Sequence, residues 1–385
     1  MRGAGGDGGG VPLPPPERTA RTVFVAWRDL RFAKGRFALM GTVIVLITLL
    51  VGLLSGLTAG LGRQNTSAIT GLPADRIAFQ APRAGGDLSY ADSTVTERQW
   101  RQWAAAPGVR WAEPLGITTT KATAGDRSSG VSAFGVRPGS PLAPDGARID
   151  DGAAVLSTTA ADDLGVRPGD SFALAGQRLR VAAVSGDAFF SHTPVVWTSL
   201  GVWRKAAPPA ADGADGPTAT VVALDTTPDA DPAALDEQAG TRTVATGDSL
   251  SAIGSYTSEN GSLQLMRGFL FAISALVVGA FFTVWTIQRS GDVAVLKALG
   301  ASTAHLLKDA LGQALVLLAG GTLIGTGLAA ALGALVAGSA VPFLLTPVTV
   351  LLPAAVMVVL GVLGAALSIR RITSVDPLTA LGSAR

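Results

Sequence analysis

Three stretches of this chain carry no ionisable side chain at all, and they limit its fold more than any other feature. They are Phe37 to Leu61, Gly268 to Ile287 and Ala310 to Ile369. At about 1.5 Å of rise per residue, the first two are each long enough to cross a hydrocarbon core about 30 Å thick. The third is too long for one crossing. Pro342 and Pro347 bracket Phe343-Leu-Leu-Thr346 within it, which predicts two spans joined by a tight hairpin. The sequence therefore predicts an α-helical membrane protein with four transmembrane helices, at 37–62, 268–288, 310–340 and 348–369, with the hairpin at 341–347. Trp285 is placed near one membrane interface.

Charge sets the orientation. Only 15% of residues are charged and the net charge is +2, too little to point to nucleic acid. Lys and Arg cluster before the first span, between the second and third, and after the fourth. With four spans, all three clusters fall on one side. The positive-inside rule then predicts a multi-pass plasma-membrane protein with both termini cytoplasmic. The first cluster, Arg18 to Arg36, interleaves Arg18, Arg21, Arg28, Arg31, Lys34 and Arg36 with Val23, Phe24, Trp27, Leu30 and Phe32. That spacing predicts an interfacial amphipathic helix over 18–36 in contact with membrane lipid. Residues 1–17 are Gly- and Pro-rich and read as a disordered leader, not a cleaved signal. Residues 370–385 form a basic cytoplasmic tail.

Between the first two spans, residues 63–267 change character. Charges return, and Pro and Gly punctuate short β-rich runs, as expected of an extracytoplasmic domain. A strand at Arg76–Gln80, a helix at Glu97–Ala105 opened by Thr94 or Thr96, and a strand near Trp111–Thr120 make one β-α-β unit. A strand at Thr218–Leu224, a helix at Pro232–Gln238 and a strand at Thr241–Thr246 make a second. The pair predicts an α+β sandwich of split-βαβ type. Trp100 and Trp103 are expected in its core. A small β insertion, about 121–210, carries short strands at Gly130–Val136, Ala153–Ser157, Ser171–Leu174, Arg178–Val184 and Val195–Thr198, with turns at Pro168-Gly-Asp and Ala175-Gly-Gln. From Ser249 to Arg267 a polar helical segment leads into the second span as a stiff stalk.

Little in the chain suggests catalysis. With no cysteine, thiolate metal sites and cysteine nucleophiles are excluded. No metal-ligand spacing appears, and no catalytic residue, metal or cofactor is expected. Asp187, Ser191 and His192 are neighbours in sequence without the spacing of a triad, and His192 reads as a loop residue of the β insertion. His305 faces solvent or a partner. Ionisable residues mark proton relays and ion paths in transporters, so the uncharged spans count against ion-coupled transport. No G-x-x-x-x-G-K-[ST] motif occurs, so the chain does not hydrolyse ATP by a P-loop.

Two further patterns stand out. Gly52, Gly56 and Gly60 recur at four-residue steps in the first span, and Gly321, Gly325 and Gly333 lie along a similar stripe with Ala329 and Ala337 in the third. Small residues at this spacing let helices approach closely. The segment 289–309 then links two spans. Val293, Leu296 and Leu299 repeat near one helical turn. Lys297 suits the negative end of the helix dipole, Gly300 suits a left-handed C-terminal cap, and Ser302 can N-cap the next helix. The segment reads as a short amphipathic helix on a membrane face, either a surface float or a handle for another protein.

Arg289-x-x-Asp-Val-Ala-Val-Leu-Lys-Ala-Leu-Gly-Ala-Ser302 resembles the cytoplasmic signature of FtsX-like/MacB-like ABC transporter permeases. Gly254-Ser-Tyr256, Glu259, Gly261 and Met266-Arg-Gly-Phe269 are similar to the DevC-like branch. Leu156, Leu164-Gly-Val-Arg-Pro-Gly-Asp170 and the tail Asp376-Pro-Leu-Thr-Ala-Leu381 extend the likeness over most of the chain. Asp292 stands where many members have Glu. The resemblance implies a coupling helix whose Arg289, Asp292, Val293, Leu296, Lys297, Leu299 and Gly300 meet a separate ABC ATPase subunit. It also implies a second permease copy, identical or different, and allows an extracytoplasmic adaptor. ATP-driven closure would then move the outer domains, with export of lipophilic or peptide-like cargo as the output. Control of an extracytoplasmic enzyme such as a cell-wall hydrolase is the alternative output. A membrane-anchored enzyme built on residues 63–267 is the third reading, and it lacks a catalytic constellation.

Overall fold

The computed structural model of the chain describes residues 34–82, 85–207, 218–288, 291, 295, 299–300, 302–336 and 341–373. The leader, most of the 18–36 segment and the tail beyond 373 lie outside them. Four helices are long and apolar enough to cross a membrane, within 38–70, 256–288, 304–336 and 347–367. We label them by their full extents: α1 (Lys34–Thr70), α6 (Tyr256–Gln288), α7 (Thr303–Val336) and α8 (Pro347–Thr373). The chain divides into two bodies. One comprises residues to Gly56, Arg267–Val336 and Leu345 onward, and the other comprises Leu57–Met266 with Ala337–Leu344.

In the membrane body, Met40 and Ile44 of α1 meet Val278, Phe282 and Trp285 of α6, Ala314 and Leu318 of α7 and Ala365 of α8 in one buried cluster. The rings of Phe282 and Trp285 meet edge to face, with centroids 6.0 Å apart. Trp285 is only 7% exposed, so its position near the end of a span does not make it a lipid-facing belt residue. Packing against three other helices takes it inward. Hydroxyls on α6 are satisfied within the helix: Ser274 donates to the carbonyl of Leu270 at 2.6 Å and Thr286 to that of Phe282 at 2.6 Å. That is how a span can carry a polar atom without water.

The second body is built on two β-α-β units. The first is β1 (Arg76–Gln80), α2 (Glu97–Ala104) and β2 (Val109–Ala124); the second is β9 (Val221–Thr226), α5 (Pro232–Ala239) and β10 (Thr241–Ala245). Their strands pair antiparallel in the order β10-β1-β9-β2, the split-βαβ arrangement. Strand alternation divides the side chains between two buried layers. Ala78, Val222 and Leu224 pack with Trp103 and Ala239 under the helices, and Trp100 packs against this layer partly buried. Ile77, Phe79, Val221 and Ala223 pack on the opposite face with Ala68, Ile69 and Leu72 at the end of α1. Thr96 starts α2 with a capping box: its hydroxyl accepts from the Gln99 amide, and the Gln99 side chain accepts from Thr96 N–H.

No break falls at residue 121. Strand β2 runs on, pairing with β9 over Val109–Leu115 and with β3 (Arg127–Val136) over Gly116–Ala124. The remaining strands are β4 (Ala153–Leu156), β5 (Ser171–Leu174), β6 (Gln177–Val184), β7 (Phe189–Phe190) and β8 (Thr193–Ser199). The pairings run β2-β3-β8-β4-β6-β5, and β5 returns to β2. The insertion is thus a closed ring of six strands that shares β2 with the split-βαβ sheet. It also contains two helices that the strand reading omits, α3 (Thr158–Leu164) and α4 (Leu200–Ala206). Ser157 and Ser199 cap them by accepting the amides of Ala160 and Val202. Ala160, Ala161, Leu164 and Val202 join Val131, Leu156, Leu174, Leu179 and Val196 in the ring's own core.

Candidate functional site

The linker between α6 and α7 is the first candidate. Arg289, Asp292, Val293, Leu296 and Lys297 lie outside the described residues. Leu299 and Gly300 are described, as are Gly291 and Val295. The amide of Leu299 donates to the carbonyl of Val295 at 3.0 Å, the bond of a helical turn. Gly300 follows with φ +92°, a value that L side chains rarely adopt. Ser302 then accepts the amide of His305 at 3.3 Å and opens α7, where His305 itself is exposed. Positions 291, 295 and 299 fall on one helical face. Gly291 is exposed, Val295 is 59% exposed and Leu299 80%. Among the described residues, nothing covers these two branched apolar side chains. Val295 was not among the residues singled out from the sequence. It is a hydrophobic residue four before Leu299, and that spacing was the available signal.

Gly52 of α1 and Gly321 and Gly325 of α7 lie where the two helices approach closely. A Cβ on Gly325 would fall 2.6 Å from the carbonyl oxygen of Val45 and 2.8 Å from Cβ of Thr48. One on Gly321 would fall 2.7 Å from Cγ2 of Ile44, and one on Gly52 would fall 2.8 Å from Cβ of Ala329. Gly56 and Gly333 are buried. In the other body, a Cβ on Gly60 would fall 1.9 Å from the carbonyl oxygen of Pro342 in the hairpin.

His192 lies on the turn between β7 and β8. Its Nε2 is 2.7 Å from Oε2 of Glu259 near the start of α6. Asp187 faces Arg63 at 3.9 Å and accepts the hydroxyl of Thr159 at 2.8 Å. The amide of Ser191 donates to the carbonyl of Asn65. Asp187, Ser191 and His192 therefore bond to different partners rather than to one another. Among the described residues, no group of three or more His, Asp or Glu side chains is placed to hold a metal ion.

Comparison with known proteins agrees with this layout. Residues 37–242 match the family described as the MacB-like periplasmic core domain, and residues 265–377 match the FtsX-like permease C-terminal family. The chain is 25% identical to the putative hemin transport system permease protein HrtB of Staphylococcus haemolyticus, over 93% of this chain and 99% of that protein. It is 27% identical to an uncharacterized ABC transporter permease of Mycobacterium tuberculosis, over 94% of this chain and 99% of that one. Among solved structures, the periplasmic region of MacB from Actinobacillus actinomycetemcomitans aligns with a TM-score of 0.35 at 11% identity, covering 47% of this chain and 92% of that one.

Proposed function

Because the chain belongs to the FtsX-like/MacB-like ABC transporter permeases, we propose that it is the permease of an ATP-driven exporter that passes ATPase motion to its extracytoplasmic domain. As a permease of an ABC transporter it works with an ATPase partner. The further steps are our reading. The 289–309 segment seats in that ATPase as a coupling helix, two permease copies pair, and both termini lie in the cytoplasm. The cargo is lipophilic or peptide-like and does not thread an ionisable path through the spans. The observation that carries this reading is the uncovered turn at Val295 and Leu299, closed by the left-handed Gly300. A partner that buries these exposed apolar side chains fits that turn. The clustering of Lys and Arg in the same flank supports the orientation.

The name of the staphylococcal relative makes hemin, a flat and largely apolar molecule, the first cargo to test. The permease and its ATPase are reconstituted in vesicles loaded with hemin, and ATP hydrolysis and hemin release are followed together. The parent complex releases hemin only with ATP. Leu296→Asp and Leu299→Asp leave the permease folded and uncouple hydrolysis from release, because a carboxylate in an apolar groove is left without a partner. Full coupled activity in Leu296→Asp would refute the coupling-helix assignment. An ATP-dependent change in a bound cell-wall hydrolase, with no release of any cargo, would favour the regulatory output.

A further inference from the structure

The two residues of the β7–β8 turn are held in a conformation that their side chains disfavour. Ser191 has φ 47° and His192 φ 65°, and non-glycine residues stay there only when the surroundings hold them. The end of α1 supplies the hold. The amides of Ser191 and His192 donate to the carbonyls of Asn65 and Gln64, each at 3.0 Å. The amide of Phe189 donates to Oγ of Ser67 at 2.9 Å. The turn is thus fastened to α1 by backbone, with little slack.

Side chains then fasten the same turn to α6. Nε2 of His192 lies 2.7 Å from Oε2 of Glu259. Asn65 Nδ2 donates to the same Glu259 oxygen at 3.1 Å and to Oγ of Ser255 at 3.2 Å. One carboxylate therefore ties together α1, α6 and the turn. α1 and α6 are helices that each continue into a membrane span. The turn leads straight into β8, which pairs with β3 and β4 inside the six-stranded ring.

We propose that His192, Glu259 and Asn65 form the joint at which motion of α1 and α6 is handed to the six-stranded ring. The proposal rests on the reading above, in which the permease acts as a lever passing ATPase motion outward, and says where that lever enters the outer domain. The pair is partly open to water, with side-chain exposures of 31% for His192 and 41% for Glu259. Partly exposed polar pairs of that kind contribute little to stability, so breaking this one is expected to cost transmission rather than folding.

The chain has no cysteine, so two introduced cysteines are unique labelling sites. Arg178→Cys on β6 and Val348→Cys on α8 are both exposed positions. The labelled permease is assembled with its ATPase in nanodiscs, diluted with unlabelled permease. The spin–spin distance is then measured without nucleotide and with ATP–vanadate. In the parent the distance shifts on trapping. Glu259→Ala and His192→Ala abolish the shift while hydrolysis continues at the parent's rate. Glu259→Gln, which still accepts hydrogen bonds, retains it. Arg137→Ala, which breaks the ion pair with Glu113 elsewhere in the domain, also retains it. A full shift in Glu259→Ala and His192→Ala overturns the joint and leaves the lever standing. Loss of hydrolysis together with the shift also overturns it, since the cluster would then serve assembly. A parent with no shift defeats the lever, and the joint falls with it.

Discussion

Gly116 of β2 and Gly135 of β3 are direct register partners, and the side chain of Trp203 lies over both. A Cβ on Gly116 would fall 2.2 Å from Cδ2 of that indole, and one on Gly135 would fall 2.4 Å from its Cβ. Two glycines opposite one another open a slot in the sheet surface, and α4 lays its one tryptophan into it. Trp203 is 3% exposed. Gly135→Val forces the indole out and is expected to destabilise the domain by about 1–3 kcal/mol or more. Trp203→Ala leaves the slot empty and is expected to cost about 3–5 kcal/mol. Thermal unfolding of the full-length protein, followed by near-ultraviolet circular dichroism, reads both. An unchanged midpoint in either variant would mean the slot is not needed.

The glycine contacts between α1 and α7 make a sharper comparison, because the same helix carries its own control. Gly325 faces the backbone of Val45, whereas a Cβ on Gly320 would meet nothing within 4 Å. Gly325→Leu is expected to push the two helices apart and lower the melting temperature in detergent, while Gly320→Leu leaves it unchanged. Overpacking of this kind costs about 1–3 kcal/mol. Equal melting of the two variants would contradict close packing through Gly325.

A pH dependence follows from Arg110 and Asp225. Nε of Arg110 donates to Oδ2 of Asp225 at 2.7 Å, and a second guanidinium nitrogen reaches Oδ1. That hydrogen bonding holds the Asp225 carboxyl below the usual carboxylate range. A carboxyl whose pKa is depressed in the folded state stabilises the fold above its unfolded pKa, and the contribution is lost as pH falls through the folded value. Arg110→Ala removes the main cause of the depression. The acid-unfolding midpoint of the variant is expected slightly above the parent's, with no difference at neutral pH beyond the small loss typical of an exposed pair. Acid titration of both proteins, followed by tryptophan fluorescence, checks the sign.

Much of the fold could be read where the signal is local. The strand at Arg76–Gln80 is a short β-rich run bounded by breakers, the helix at 97 is opened by Thr96, one of the two threonines expected there, and the uncharged runs mark the spans. What was not legible is either too short or too distant. Helices α3 and α4 have seven residues each, under two turns, too few for helical periodicity to show against the strands around them. The strand expected near Trp111–Thr120 runs on to Ala124 and its two halves serve two sheets, a division that no local pattern marks. His192 and Glu259 are 67 positions apart, and no period connects them; only the fold brings the turn to α6. Trp285 shows the limit of composition arguments: a tryptophan near a span's end can face lipid or a neighbouring helix, and here the neighbours Met40, Ile44 and Leu318 decide.

The most direct measurement places a photo-reactive side chain at Leu299, and separately at Arg178, in the permease expressed with its ATPase. Leu299 is predicted to crosslink to the ATPase in intact membranes and Arg178 not to do so, because the proposed coupling segment holds the first residue and the proposed extracytoplasmic domain holds the second. An ATPase adduct at Arg178, or none at Leu299 in an actively hydrolysing complex, would contradict the account.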